Sequence, residues 1–156
     1  MPHHTAMSDG HDPIYFYTKS MAYWGLSNFS PPGITLDGMY WPTVEHYFQA
    51  QKFLDAAYRE RIRRAATPHD ARTLGQSRSL PIRSGWDTQR NAIMLLALRA
   101  KFSQPDARRL LLSTQQRALI EASPYDYYWG AGQDGTGANR LGELLTQVRA
   151  ELLTRP

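Results

Sequence analysis

Hydrophobic and polar positions along this chain change their rhythm often enough to be read segment by segment. Ile14-Tyr15-Phe16-Tyr17 is a run of β-branched and aromatic residues and predicts a strand. The stretch WGLSNFSPPG after it reads as a loop held by two prolines and a glycine. Ile34-Thr35-Leu36 and Met39-Tyr40-Trp41 flank Asp37-Gly38, a pair that tolerates the positive backbone dihedrals of a type I′ turn, so a tight hairpin is expected. Pro42 stands where a helix should begin, since its missing N–H costs nothing there. Val44, Tyr47, Phe48, Leu54, Tyr58 and Ile62 then keep helical spacing and predict one helix over residues 43–66.

Pro68 opens a shorter helix that ends near Gly75, and GQSRSLPIRSGW reads as a basic, Ser-rich irregular loop. Asp87 is placed to cap a helix over residues 88–102 whose inner face carries Ile93, Met94, Ala97 and Leu98. Pro105 opens a further helix through Leu112, and residues 118–122 have the character of a strand. In the last segment Asn139 is placed to cap a helix with Leu141, Leu144, Leu145, Val148 and Leu152 on one stripe. A few strands, several unequal helices and no βαβ alternation predict an α+β fold, mostly helical, with a small β-sheet or hairpin. Neither a repeat nor a linker interrupts it, so a single compact domain is expected over residues 13–154, after a loose polar leader at 1–12.

Composition narrows the function classes. With 156 residues and 42% hydrophobic content the chain is sized for one packed core. It has no cysteine, which excludes disulfides, thiolate nucleophiles and thiolate metal sites. No apolar run approaches the roughly 18 residues a membrane span needs, and the leader lacks the order of a secretory signal. A cytoplasmic protein without a membrane association or an obligate protein partner is therefore expected. The net charge is +4, with basic residues concentrated between Arg59 and Arg109. That region suits phosphate or nucleic acid, or is simply a solvated basic face.

Three segments have the residue types that chemistry needs. In WPTVEHYFQAQKF, Glu45, Gln49 and Lys52 are spaced i, i+4, i+7 and share a helix face beside the apolar stripe. Glu45 lies in the first turn, where the helix dipole favours an ionised carboxylate and a base or charge stabiliser over a proton donor; it is equally at home completing a helix start. His46 has no second ligand at metal spacing and reads as structural. In SPYDYYWGAGQDGTGANRLG, Asp126 and Trp129 precede a glycine-rich loop. Gly130, Gly132 and Gly135 match GxGxxG, but one helix follows, with no second strand or ribose-binding acid, so a dinucleotide site is rejected. Flexible amides at a helix N-terminus remain a natural seat for an anion such as phosphate. In GQSRSLPIRSGWD, Arg78 and Arg83 with Ser77, Ser79 and Ser84 suit phosphate groups. Trp86 is either a flat surface for a base or sugar or a core aromatic over the next helix, and Trp24, Asn28 and Phe29 share that ambiguity.

Taken together, these segments resemble the NADAR domain proteins, also called YbiA-like, over nearly the whole chain from about Ile14 to Leu153. The anchors are SNFSP at 27–31, WPTVEHYFQAQKF at 41–53, Gly85-Trp86, ALRAKF at 97–102 and YYWGAGQDGTGANRLG from Tyr127, with no departure that would disable the pattern. The resemblance implies an N-glycosidase without metal or organic cofactor. One branch hydrolyses phosphoribosylamino-pyrimidine intermediates of riboflavin synthesis. Another removes ADP-ribose from guanine in nucleic acid, reversing a transferase toxin. A silent ADP-ribose or nucleotide-binding module and a nucleic-acid-binding protein are the non-enzymatic alternatives. The family's working residues match Glu45, Trp86, Asp126 and Trp129, with Asn28, Lys52 and Arg140 as substrate contacts. Glu45 and Asp126 are thus the expected catalytic pair, and Phe29, Arg78, Gly130 and Asn139 complete the expected substrate-binding set. The expected partner is a small phosphorylated ribosyl substrate or an ADP-ribosylated nucleic acid.

Overall fold

The computed structural model describes residues 11–154, so the leader expected over 1–12 lies, through residue 10, outside the described residues. In chain order the elements are β1 (Ile14–Phe16), a 3-10 turn (Trp24–Leu26), β2 (Ile34–Leu36), β3 (Met39–Trp41), α1 (Val44–Ala50), α2 (Ala56–Arg63), α3 (Pro68–Gln76), α4 (Trp86–Phe102), α5 (Pro105–Ser113), β4 (Leu119–Glu121) and α6 (Arg140–Leu153). The fold is α+β and mostly helical. The chain divides into two compact units, one over Asn28–Gln104 and the other made of the segments before and after it.

In the central unit, β2 and β3 pair antiparallel with Ile34 opposite Trp41. Asp37 and Gly38 turn the hairpin at φ 55° and 75°, the positive values a type I′ turn demands. The long helix expected over 43–66 is two helices. Thr43, not Pro42, opens α1: its Oγ1 accepts from the His46 N–H at 3.2 Å, satisfying a donor the helix leaves unpaired. After Ala50 the chain leaves helical geometry, and Asp55 Oδ1 accepts from the Tyr58 N–H at 2.8 Å to cap α2. Phe53 in the break is fully buried while its neighbour Leu54 is 75% exposed, so the helical spacing of Leu54 was coincidental. Helix α4 begins at Trp86 rather than Thr88. Gly85 at φ 80° supplies the left-handed turn before it, and Asp87 sits within the first turn instead of capping it.

His46 is buried with both ring nitrogens engaged, Nδ1 with Thr43 Oγ1 at 2.8 Å and Nε2 with the Ala65 carbonyl at 3.0 Å. A carbonyl only accepts, so Nε2 carries the proton and Nδ1 accepts from the Thr43 hydroxyl. Burial pushes the imidazole below its ordinary pKa, which holds this neutral tautomer. On α4, Lys101 is fully buried and donates to Ser30 Oγ at 2.9 Å and to the Ser30 carbonyl at 3.2 Å. Desolvation pushes its ammonium down to about 7.

In the other unit, β1 and β4 pair in parallel with Ile14 opposite Leu119. Helix α6 carries the expected stripe, with Leu141, Leu145 and Val148 buried. Arg149 on the same helix is buried too, and Nη1 donates to Thr114 Oγ1 at 2.8 Å and to the Arg117 carbonyl at 2.9 Å. Asn139 precedes α6 at φ 51° but makes no side-chain cap. Its amide instead accepts from the Glu121 N–H and donates to the Leu119 carbonyl, both at 2.9 Å, and so completes the hydrogen bonding of β4. A strand's open backbone groups cost free energy when buried, and they outcompete the helix end for this side chain.

Candidate active site

Glu45 is the centre of the central unit's polar cluster. It is 4% exposed, on the second residue of α1, and its N–H donates to the Asn28 carbonyl at 3.2 Å. Its Oε2 accepts from Gln49 Nε2 at 2.7 Å and from Arg72 Nε, on α3, at 3.4 Å. Oε1 makes no hydrogen bond among the described residues. The Arg72 guanidinium lies 4.7 Å from the centroid of Phe29, a cation–π contact that steadies it. Asn28 is buried, with Nδ2 on Met94 Sδ at 3.4 Å and Oδ1 buried without a hydrogen bond.

Lys52 does not continue the Glu45–Gln49 helical face, because α1 has already ended. It nevertheless belongs to the cluster: Nζ approaches the Gly75 carbonyl at 3.5 Å, and Arg78 Nη1 donates to the same carbonyl at 2.8 Å. Two cations at one carbonyl near the end of α3 also meet the negative end of that helix dipole. Desolvation lowers the Lys52 ammonium to about 8; the Glu45 charge opposes this, while Arg78, Arg72 and Arg90 reinforce it. A half-buried lysine lowered first by desolvation and further by three nearby guanidinium groups lies in a region rich in positive charge, an electrostatic setting that a phosphate would relieve.

Trp86 is 7% exposed and packs on Phe48 with centroids 5.1 Å apart, with the Arg83 guanidinium 5.8 Å from its ring. The open flat face considered for it is thus largely covered, and the core-aromatic reading describes its place at the start of α4. A surface concavity of about 370 Å³, lined by Ile82, Arg83, Gly85, Trp86, Asp87 and Thr88, adjoins it.

In the other unit, Asp126 Oδ1 accepts from the N–H groups of Tyr128 and Trp129 at 3.0 and 2.7 Å, an Asx turn that fixes the carboxylate. Tyr128 and Trp129 meet edge to face at 4.8 Å, and the Arg140 guanidinium lies 5.7 Å from the Tyr128 centroid while its Nη1 pairs with Glu143 at 2.5 Å. The glycine-rich loop is stapled, not flexible. The N–H groups of Ala131, Gly132, Gly135, Gly137, Ala138, Asn139, Arg140 and Leu141 all donate to backbone carbonyls, and those of Gln133 and Thr136 to Tyr127 Oη and Asp134 Oδ1. The anion seat expected at these amides is therefore taken up by the loop itself. Gly130 serves close packing, since a side chain there would meet Glu121 Oε1 at 2.8 Å and the Asp126 carbonyl at 3.0 Å. Among the described residues no three of His, Asp and Glu are grouped as metal ligands would be.

A model of the NADAR domain matches residues 15–153, spanning both units. The chain belongs to the NADAR domain family. It is 49% identical over 140 residues to N-glycosidase YbiA of Escherichia coli (strain K12), covering 89% of this chain and 88% of that protein. The NMR structure of the Escherichia coli protein YbiA superposes with a TM-score of 0.84 at 48% identity, over 92% of this chain and 86% of that one. A riboflavin biosynthesis protein of Vibrio vulnificus (strain YJ016) is 42% identical over 142 residues, which is 90% of this chain but 38% of that longer protein. None of the helices is long and apolar enough to cross a membrane among the described residues.

Within this family member, the structure gathers Glu45, Asn28, Phe29, Lys52 and Arg78 in one unit, and Asp126, Trp129, Gly130, Asn139 and Arg140 in the other. Sequence reasoning missed Arg72 and Arg90. Both lie in the basic stretch it flagged, but spacing tied neither Arg72 to Glu45 nor Arg90 to the surroundings of Lys52. Gln49 was visible on the Glu45 face and given no task.

Proposed function

We propose that this chain is an N-glycosidase that hydrolyses the bond between the anomeric carbon of a phosphorylated ribose and the nitrogen of a pyrimidine intermediate of riboflavin synthesis. The observation that carries the reading is Glu45: a buried carboxylate with one oxygen pinned by Gln49 and Arg72 and the other unengaged, beside cations matched to phosphate. The relatives' names, N-glycosidase and riboflavin biosynthesis protein, support the same chemistry.

Breaking a ribose–nitrogen bond passes through an oxocarbenium-like state in which the ring oxygen and anomeric carbon gain positive charge. A carboxylate fixed in a water-poor setting stabilises that charge without reorganising at the moment of reaction. Glu45 Oε1 has this role, and it also accepts the proton of the water that attacks the anomeric carbon. The products are the ribose, whose new hydroxyl keeps one water proton, and the free amine, whose nitrogen receives the proton that Glu45 took up, so Glu45 returns to its carboxylate form. Lys52 and Arg78 bind the phosphate, and Lys52 does so in its protonated form. Asp126 is kept as a second candidate carboxylate, supported within its own unit by the Asx turn that fixes Oδ1 on the Tyr128 and Trp129 N–H groups. Its test is its own Asp126→Asn variant, whose kcat is expected to fall by about 10²–10⁴.

The experiment incubates the purified protein with a phosphoribosylamino-pyrimidine and, separately, with an oligonucleotide carrying ADP-ribosyl-guanine, following released base and sugar by mass spectrometry. Release from the pyrimidine compound is expected. Release from the oligonucleotide alone would move the substrate to nucleic acid, and tight binding of either compound without cleavage would replace the enzyme with a binding module.

A further inference from the structure

We propose that Gln49 and Arg72 are positioning residues that act together through one oxygen of Glu45, so that Oε1 alone faces the reaction; this rests on the role proposed for Glu45 above. A carboxylate accepts through either oxygen, and an unrestrained Glu side chain rotates between several staggered orientations. Here both donors converge on Oε2, Gln49 Nε2 at 2.7 Å and Arg72 Nε at 3.4 Å. Two donors from different helices, α1 and α3, define one rotamer of the carboxylate, whereas one donor would leave it free to swing.

Each donor is itself held. The Gln49 amide has only one useful orientation, because Nε2 must meet an acceptor-only carboxylate. Its Oε1 then lies buried without a hydrogen bond, against Gly75 of α3. A buried acceptor without a donor is a standing cost, tolerated where the other end of the group is needed in place. Arg72 is held by the Phe29 ring at 4.7 Å. Phe29 thereby enters the site through Arg72 and not by stacking on a base. The arrangement explains why the i, i+4 pair Glu45–Gln49 lies on a face buried on both residues, an unusual place for a carboxylate and an amide.

The test is a set of double-mutant cycles on kcat for the phosphoribosylamino-pyrimidine. Gln49→Met and Arg72→Met are each made in the native background and in Glu45→Gln. Gln49→Met keeps the side chain's length, and Arg72 is 40% exposed, so the arginine variant folds even if the glutamine variant does not. In the native background each is expected to lower kcat by about 10- to 100-fold, the worth of a hydrogen bond to a charged group, while KM changes little. Arg72→Lys keeps the charge and recovers part of the loss. In the Glu45→Gln background neither Met variant lowers kcat by more than about twofold further, because groups acting as a unit are not additive. The same fold loss in both backgrounds, or no loss in the native one, overturns the clamp while Glu45-dependent cleavage stands. A Glu45→Gln protein as fast as the native one overturns the clamp and the Glu45 assignment together.

Discussion

Gly75→Ala puts the packing behind Glu45 under direct strain. Gly75 is buried near the end of α3, and a methyl there would lie 2.0 Å from Gln49 Oε1, 2.7 Å from Cδ and 2.8 Å from Cβ. Rotating the amide away relieves the first two contacts but not the third, because Cβ is anchored to the α1 backbone. Helices α1 and α3 must therefore part, and such overpacking costs about 1–3 kcal/mol. Against it, Ala in a helix gains about 1 kcal/mol over Gly. The net is a loss of about 0–2 kcal/mol, the difference of these two ranges. The rate carries the larger signal. Displacing the Gln49 amide removes a hydrogen bond to a charged acceptor, worth about 1.5–3 kcal/mol, which corresponds to roughly 10- to 100-fold in kcat. Urea unfolding gives the first quantity, and base release from the phosphoribosylamino-pyrimidine the second. A variant about 1 kcal/mol more stable than the native protein with undiminished kcat would show that α1 yields freely and would refute this reasoning.

In the proposed role Lys52, lowered to about 8, holds phosphate only when protonated, so KM is expected to rise as pH passes upward through that value. Lys52→Met should raise KM at neutral pH and abolish that rise, and a pH series of KM for both proteins checks it. Lys101 sits at about 7 in the fold against 10.5 for the ordinary side chain, so between those values the unfolded chain binds more protons and stability rises with pH. Below pH 7 both states are protonated and the penalty of the buried charge is complete; urea midpoints from pH 7 to 10 should therefore climb, and climb less in Lys101→Met. Asn139→Ala leaves the Leu119 carbonyl and Glu121 N–H without their partner and, at φ 51°, replaces Asn, which tolerates the left-handed region, with Ala, which does not. It should lose about 2–4 kcal/mol by urea unfolding, from an unsatisfied group at about 1–3 and backbone strain of about 1 or more, with KM unchanged once folded protein is compared.

The parts of the fold legible in the residues are those fixed by local chemistry. Asp37-Gly38 announces its turn because few pairs accept two positive φ values, and the α6 stripe announces its buried face because its apolar spacing is unbroken. The break between α1 and α2 was hidden. Leu54 kept the helical period while pointing into solvent, and the cap at Asp55 competes with that period only through a hydrogen bond that spacing does not reveal. At the site, Glu45 was legible as a carboxylate on an aromatic helix face, but the arginine that pairs with it lies 27 residues away on another helix. The glycine-rich loop misled for a related reason. Its composition suggests free amides, whereas long-range backbone partners such as the Glu121 and Ser123 carbonyls occupy them. Asn139, placed as a helix cap, was drawn away by β4 in the same manner.

The role proposed for Glu45 is decided by the rate of base release from one phosphoribosylamino-pyrimidine at one pH, compared between the native protein and Glu45→Gln. Gln is close to isosteric and retains a neutral hydrogen-bonding group, so the fold and the substrate contacts survive while the negative charge is lost. The native protein is expected to release free amine and ribose phosphate, and the variant's kcat is expected to fall by about 10²–10⁴. Equal rates in the two proteins, or an untouched substrate in both, would contradict the role proposed for Glu45.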